Sequence, residues 1–512
     1  MNGHDAPKTL THLFRSQSRT APALIIPTEP AVTVSHADLH DHIGQLQGEL
    51  AKLGIQHGSA VSIALPNCLE LIGVFLAVTW QRGIAAPLNP GYKQDEVEFY
   101  IGDLGSDLLV IPQGAFEKGG PAVKAARTYE AAIAECYWNG KKIVLDVKDC
   151  GKLGSRDSQD VLEAEEDDVG LVLHTSGTTG RPKAVPLTHA NLLASIESIC
   201  RTYELSPNDR TLLVMPLFHV HGLLASFLSP LYSGGSAVVP SRLEPSFWQV
   251  FAQHKANWYT ATPSMHRLIL QFPPPDPLPK IRFIRSCSSQ LAPALFHKLE
   301  EAFKAPVLES YAMTEAAHLM CSNPLPPGKH YPGTVGPAQG VELRILDADG
   351  KEVQQGGVGE VCIRGASVTK GYLNNEEANK SSFTKDRFFQ TGDQGKVDED
   401  GYLTLTGRLK EMINKGGEKI SPVEIDNVIS QHEAVAEAVS FAIDDEAYGQ
   451  EVGCAVKVAE GQSLDSRELK KWVGEKLAAH KVPKKIWFPD EIPKTATGKV
   501  QRKLVAEKMA KS

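Results

Sequence analysis

His174-Thr175-Ser176-Gly177-Thr178-Thr179-Gly180-Arg181-Pro182-Lys183 follows the apolar run Val169 to Leu173, which reads as a strand ending in an anion-binding loop. Glycines let backbone N–H groups converge on phosphate oxygens. The hydroxyls of Thr175, Ser176, Thr178 and Thr179 add donors, and Lys183 adds a mobile positive charge. A Walker-type loop requires G-x-x-x-x-G-K followed by Ser or Thr. Here Arg181 and Pro182 separate Gly180 from Lys183, and Ala184 follows. The stretch points to nucleotide chemistry outside the ordinary P-loop NTPases. A Ser/Thr/Gly-rich string alone is a flexible loop, so its surroundings decide.

Outward from this loop the chain alternates strand-like runs with amphipathic helices, the pattern of α/β layering. Thr188 caps a helix whose apolar positions Leu192, Leu193, Ile196, Ile199 and Cys200 follow helical spacing. Thr211 to Leu217 and Ala237 to Val239 read as strands, and Ile281 to Arg285 precedes a helix opening at Pro293, an N1 proline. Val341 to Leu346 and Glu360 to Arg364 read as strands of a β-rich portion. Past Gly407-Arg408-Leu409-Lys410 a compact α+β set begins: helix Pro422 to His432, strands near Ala438 to Ile443 and Cys454 to Val458, helix Arg467 to Ala479. The expected division is a large α/β unit, 1–409, and a small α+β unit, 410–512, meeting at Lys410.

The length of 512 residues is enough for about three domain-sized cores. Acidic residues outnumber basic ones 61 to 53, a net charge of -8 without a long one-sign run, so nucleic acid is not expected as the main partner. The eight cysteines are scattered with no C-x-x-C pair, which reads as reduced core residues. No apolar run approaches the roughly 18 to 20 residues that span a bilayer, and Met1 to Thr20 has no apolar core. The expected location is the cytoplasm. A peroxisomal one would need a C-terminal address that Ala510-Lys511-Ser512 does not supply.

Three further strings and one arginine carry chemistry. Glu309-Ser310-Tyr311-Ala312-Met313-Thr314-Glu315 ends on a hydroxyl and a carboxylate. Thr391-Gly392-Asp393 offers a carboxylate after a tight turn, able to accept from two adjacent hydroxyls, and Arg408 offers a fork that spans paired oxygens. Pro493-Lys494-Thr495-Ala496-Thr497-Gly498-Lys499 ends on a lysine near the C-terminus. In isolation these are a helix start, a turn Asp, a strand-end Arg and a solvated Lys.

Together with the phosphate loop, these ordered blocks resemble the adenylate-forming, or AMP-binding, superfamily of acyl-CoA synthetases, and the resemblance covers nearly the whole chain. It implies a large N-terminal domain with a small mobile C-terminal one, and ATP, Mg2+ and CoA as reaction partners. It implies that Thr175, Ser176, Gly177, Thr178, Thr179, Gly180 and Lys183 cradle phosphate, that Glu309, Tyr311 and Thr314 line the nucleotide, and that Glu315 holds the metal. Asp393 and Arg408 take the ribose or phosphate, and Lys499 bridges the attacking carboxylate and the α-phosphate. Thioester formation then follows rotation of the small domain about Lys410, bringing Lys415, Gly416 and Gly417 to CoA; Lys415 stands where the family pattern carries arginine.

The acid should meet Met215 to Gly222, Ser286 to Gln290 and a helix entered at Glu315 that carries His318. His219, His221, Ser288, Ser289 and His318 are too polar for a long fatty chain and suit a short acid with a second carboxylate. Leu217 to Gly222, Arg285 to Ser289 and Met313 to His318 resemble the oxalate-activating branch, which makes oxalate the first expectation, with Thr314, Glu315, His219 and Lys499 as the catalytic set. Activation of a medium-chain fatty acid or a hydroxycinnamate is the alternative. Nucleotide or RNA binding without turnover is the alternative of another class.

Overall fold

The computed structural model describes residues 9–14, 18–175, 182–495 and 499–511. Two large sheets organise the first four hundred residues. A seven-stranded sheet runs in the order Ile143–Asp149, Ala132–Trp138, Leu108–Pro112, Ala60–Ile63, Ile84–Pro87, Val169–Thr175, Lys183–Thr188. An eight-stranded sheet runs His318–Ser322, Val307–Met313, Phe283–Ser286, Trp258–Ala261, Arg210–Leu213, Ser236–Val238, Pro22–Ile26, Val32–Ser35. The inner strands of both are parallel, which requires helices on both faces.

The period-two alternation of side chains shows in how the cores divide. Leu213, Trp258 and Phe283 point into the largest core, while their neighbours Leu212, Tyr259 and Ile284 point into a second one with Phe251, Phe296 and Leu299. Leu108 and Ala132 likewise face the first core, whereas Leu109 and Ile133 face a third with Ile101 and Val123. The helices Leu69–Trp80 and His189–Thr202 and the π-helical stretch His221–Leu228 fill the layer between the sheets, which makes five layers. The helix after the strand Lys183–Thr188 starts where expected: Thr188 and Asn191 form a reciprocal capping box. Asn191 also donates to the Ala366 carbonyl at 2.8 Å.

A four-stranded antiparallel sheet, Glu342–Leu346, Gly359–Arg364, Phe389–Val397 and Leu403–Arg408, forms the β-rich portion. The short turn Leu409–Glu411 leads from it to the last sheet, built on the long hairpin Val435–Asp445/Gly449–Val458 with its own cores around Ile425, Val456 and Leu469 and around Phe441 and Val505. Lys410 lies in that turn, exposed. Boundaries moved at several places. The strand expected to reach Leu217 stops at Leu213, and the last long helix stops at Gly474. Among the described residues no helix is long and apolar enough to cross a membrane.

Candidate active site

The cleft begins where two antiparallel strands set Asp393 opposite Arg408. Arg408 Nε donates to Asp393 Oδ1 at 2.8 Å, and the Tyr311 hydroxyl donates to Oδ2. Thr391-Gly392-Asp393 lies within a strand rather than in the expected turn; Gly392 takes φ 72° there and donates its N–H to Glu360 at 2.9 Å. The kink turns a strand position toward the neighbouring sheet, which is how Tyr311 reaches it.

Next to this pair the Thr314–Ala316 turn buries Glu315, which accepts from the Tyr372 hydroxyl at 2.8 Å. Burial raises the Glu315 pKa against the pull of Tyr372, Arg408 and Lys183. Lys183 lies over the Tyr372 ring at 4.5 Å; burial and Lys410 lower its ammonium pKa, and Glu315 opposes them. Thr175 faces Lys183 across the strand pair, and Thr314 is half-buried. Ser176, Gly177, Thr178, Thr179 and Gly180 lie outside the described residues.

Lys499, from the small domain, comes to the same place. Its side chain keeps exposed surface, yet desolvation and Arg408 lower its pKa while Asp393, Glu411 and Glu315 hold it up. The residues just before it, 496–498, are outside the described ones. Lys499 also acts on His219, whose pKa burial and this cation lower to about 4. His219 Nδ1 accepts the His221 N–H at 3.2 Å, so its proton sits on Nε2. Gly222 makes this turn possible, since a Cβ there would lie 2.2 Å from the Pro216 carbonyl.

Behind His219 the side chains of His221, Thr260 and His318 are buried. His221 bonds Ser288 Oγ at 3.0 Å through Nδ1 and Thr260 Oγ1 at 2.6 Å through Nε2, and its ring stacks on His318 at 5.2 Å. Both His318 ring nitrogens are buried without a partner among the described residues. The helix expected to carry His318 is absent: Ala317 and His318 take φ 47° and 99°, and His318 opens the strand His318–Ser322. A Thr-Glu pair looks like a helix start, and two left-handed residues end the turn after three positions. Ser288 is half-buried and Ser289 exposed.

Two expected positions have other surroundings. Glu309 is buried with Oε1 accepting from Gly333 N at 2.9 Å and Oε2 from Leu291 N at 3.4 Å, so it pins the cleft wall rather than presenting a free group. Lys415 is held inside the small domain by Glu451 at 2.6 Å, before the exposed Gly416-Gly417 turn. The sequence reading missed Arg285, Thr260, Tyr203 and Tyr372. An arginine at the end of a strand that is otherwise apolar, Phe283-Ile284-Arg285, was the one available signal. A separate cavity of ≈ 410 Å3, lined in part by Ile26, Asn67, Trp138, Val239 and Phe247, contains none of these side chains.

A lysine of the small domain beside a carboxylate–guanidinium pair, at the edge of layered α/β sheets, makes a cleft suited to a nucleotide together with a second, acidic ligand. The chain belongs to the AMP-binding enzyme family: residues 14–373 match the AMP-binding enzyme and residues 424–499 the AMP-binding enzyme C-terminal domain. It is 44% identical to an oxalate--CoA ligase of Saccharomyces cerevisiae over 96% of this chain and 95% of that one. It is 47% identical to an oxalate--CoA ligase of Arabidopsis thaliana over 93% of each. Among solved structures, the ATP-bound MatB of Rhodopseudomonas palustris superposes with a TM-score of 0.89 at 28% identity, covering 98% of this chain and 99% of that one.

Proposed function

We propose that the protein is an AMP-forming acyl-CoA synthetase that activates oxalate. The observation that carries the substrate is the acyl wall: among the described residues a buried arginine has no carboxylate beside it, and neither ring nitrogen of His318 has a partner. An acid ending in methylenes would leave these groups unpaired at roughly 1–3 kcal/mol each, whereas a second carboxylate satisfies them. The two oxalate--CoA ligases at 44% and 47% identity support the same acid.

In this reading one carboxylate oxygen attacks the α-phosphorus of ATP, the bond to pyrophosphate breaks, and acyl-AMP forms. Asp393 and Arg408 bind the ribose and phosphate oxygens. Thr175, Ser176, Gly177, Thr178, Thr179, Gly180 and Lys183 surround the phosphates, with Thr314 at the α-phosphate and Tyr311 beside the base. Lys499 stabilises the charge that moves between carboxylate and phosphate. Glu315, a single buried carboxylate near Lys183, fits a metal that takes its remaining ligands from phosphates and water, as Mg2+ does; bound there, it would neutralise phosphate charge. The CoA sulfur then attacks the acyl carbon and AMP leaves. Lys499 and the Lys415-Gly416-Gly417 turn cannot serve one site at once, and a boundary at Lys410 lets the small domain exchange them. Eight free cysteines fit a reducing, ATP-rich compartment such as the cytosol. Pyrophosphate release over a panel of mono- and dicarboxylates tests the assignment. Preference for hexanoate over oxalate would remove oxalate.

A further inference from the structure

Thr260 and Arg285 are partners in register on adjacent parallel strands, and both lie on the inner face of the eight-stranded sheet, as Trp258 and Phe283 do. Arg285 is fully buried. Its Nε donates to the Tyr203 hydroxyl at 2.7 Å, its Nη1 to Thr260 Oγ1 at 3.2 Å, and its Nη2 has no partner among the described residues. Among these residues no carboxylate stands within ion-pair distance of it. A buried cation without a counter-ion is costly, and a protein keeps one where a ligand supplies the missing charge.

The contacts also have a direction. A guanidinium only donates, so Thr260 Oγ1 accepts from it. Among the described residues the Thr260 hydroxyl proton then has one remaining neighbour, His221 Nε2 at 2.6 Å, which must accept. Burial and the Arg285 charge lower the His221 pKa well below the ordinary value, so the ring is neutral and carries its single proton on Nδ1. Nδ1 donates to Ser288 Oγ at 3.0 Å. Each step consumes an acceptor, and what is left over at the end is the Ser288 hydroxyl proton. Ser288 is half-buried at φ 72°, a conformation that a non-glycine residue keeps only when its surroundings enforce it.

We propose that Arg285, Thr260 and His221 form a one-way relay that fixes Ser288 as a hydrogen-bond donor to the far carboxylate of a dianionic substrate, with Arg285 and Thr260 as positioning residues that set specificity. The relay rests on the dicarboxylate reading above. It gives the guanidinium a way to act on the acid through other side chains: its charge biases the pocket, and its donors choose the orientation of every hydrogen bond between it and Ser288.

The test removes one link without changing shape. Thr260→Val deletes the relay hydroxyl, and Thr260→Ser retains it. With pyrophosphate release as readout, T260V raises the oxalate KM roughly tenfold with a smaller change in kcat and none in the KM for ATP, and T260S restores the oxalate KM. Ser288→Ala gives a loss of the same size, and the T260V/S288A double variant loses no more than either alone, because both act through one donor. If T260V does not fold, His221→Phe cuts the relay one step later and is judged by the same non-additivity with S288A. T260V matching wild type, or losses that multiply in the double variant, overturns the relay alone. A wild type that ignores oxalate overturns the substrate reading and takes the relay's ligand with it.

Discussion

The two halves of the cleft handle charge in opposite ways. On the nucleotide side the protein supplies its own compensation: Asp393 is ion-paired with Arg408, and Glu315 and Lys183 moderate each other across Tyr372. On the acyl side Arg285 has no carboxylate partner among the described residues, and the histidines around it are held neutral. The first arrangement is stable when empty and binds by exchanging partners. The second is incomplete when empty and selects by what it lacks, which is how a site rejects a molecule missing one polar group. Affinity for ATP should therefore depend on pairs, and choice of acid on unpaired groups.

The largest effect expected is at the lysine that crosses between the halves. Lys499→Ala should slow acyl-adenylate formation by about 10²- to 10³-fold, because one preorganised charge at a developing oxyanion is lost. CoA attack on supplied acyl-AMP should be largely unaffected. Timing the two half-reactions separately checks this, and equal loss in both would refute the division of labour. Asp393→Asn comes next. It leaves Arg408 without its carboxylate and removes the proposed ribose ligand, and the KM for ATP should rise on the order of tenfold to a hundredfold while the KM for oxalate changes little. If both rise together, the cleft is one cooperative unit and the contrast fails.

His318→Ala breaks the acyl half. Loss of an unpartnered buried donor should cost about 1 to 3 kcal/mol with oxalate, roughly one to two powers of ten, and less with hexanoate, which has no group to pair with it. Steady-state kinetics with both acids decide the matter; equal losses would show that the histidine only supports the wall.

Much of the nucleotide half was legible because its signals are local. The Thr188 cap, the Pro293 helix start and the Thr-Gly-Asp and Thr-Gly-Lys strings each sit within a few residues of sequence. What escaped was everything made by pairing across distance. Asp393 and Arg408 were recognised separately, but that they face each other depends on strand register. His318 was expected on a helix, because nothing in Thr314 to His318 announces two consecutive positive φ angles. Arg285 and Thr260 were passed over because a charge at a strand end is ordinarily solvated, and only the parity of two parallel strands turns both inward.

The smallest effect concerns Glu309, which belongs to neither half but pins the segment that carries Ser288 through Leu291 N–H. Burial pushes its pKa from the ordinary 4.5 up to about 8, against the two N–H groups that favour the charged form, and among the described residues no cation offsets the burial. An acid whose folded-state pKa lies above its unfolded one binds its proton more tightly when folded. Its stabilising contribution is therefore complete below about pH 4.5 and is lost as pH rises toward 8. Inside that window the loss is about 1.4 kcal/mol per pH unit at most. Glu309→Gln does not titrate, so the melting temperature of wild type should fall relative to E309Q between pH 5 and about 8, and the oxalate KM of wild type should drift upward over the same range as the Ser288 segment loosens. Parallel melting curves would show that Glu309 is already ionised at neutral pH, held by Gly333 and Leu291 alone. The wall beside the acyl pocket would then, like the nucleotide half, be compensated from within.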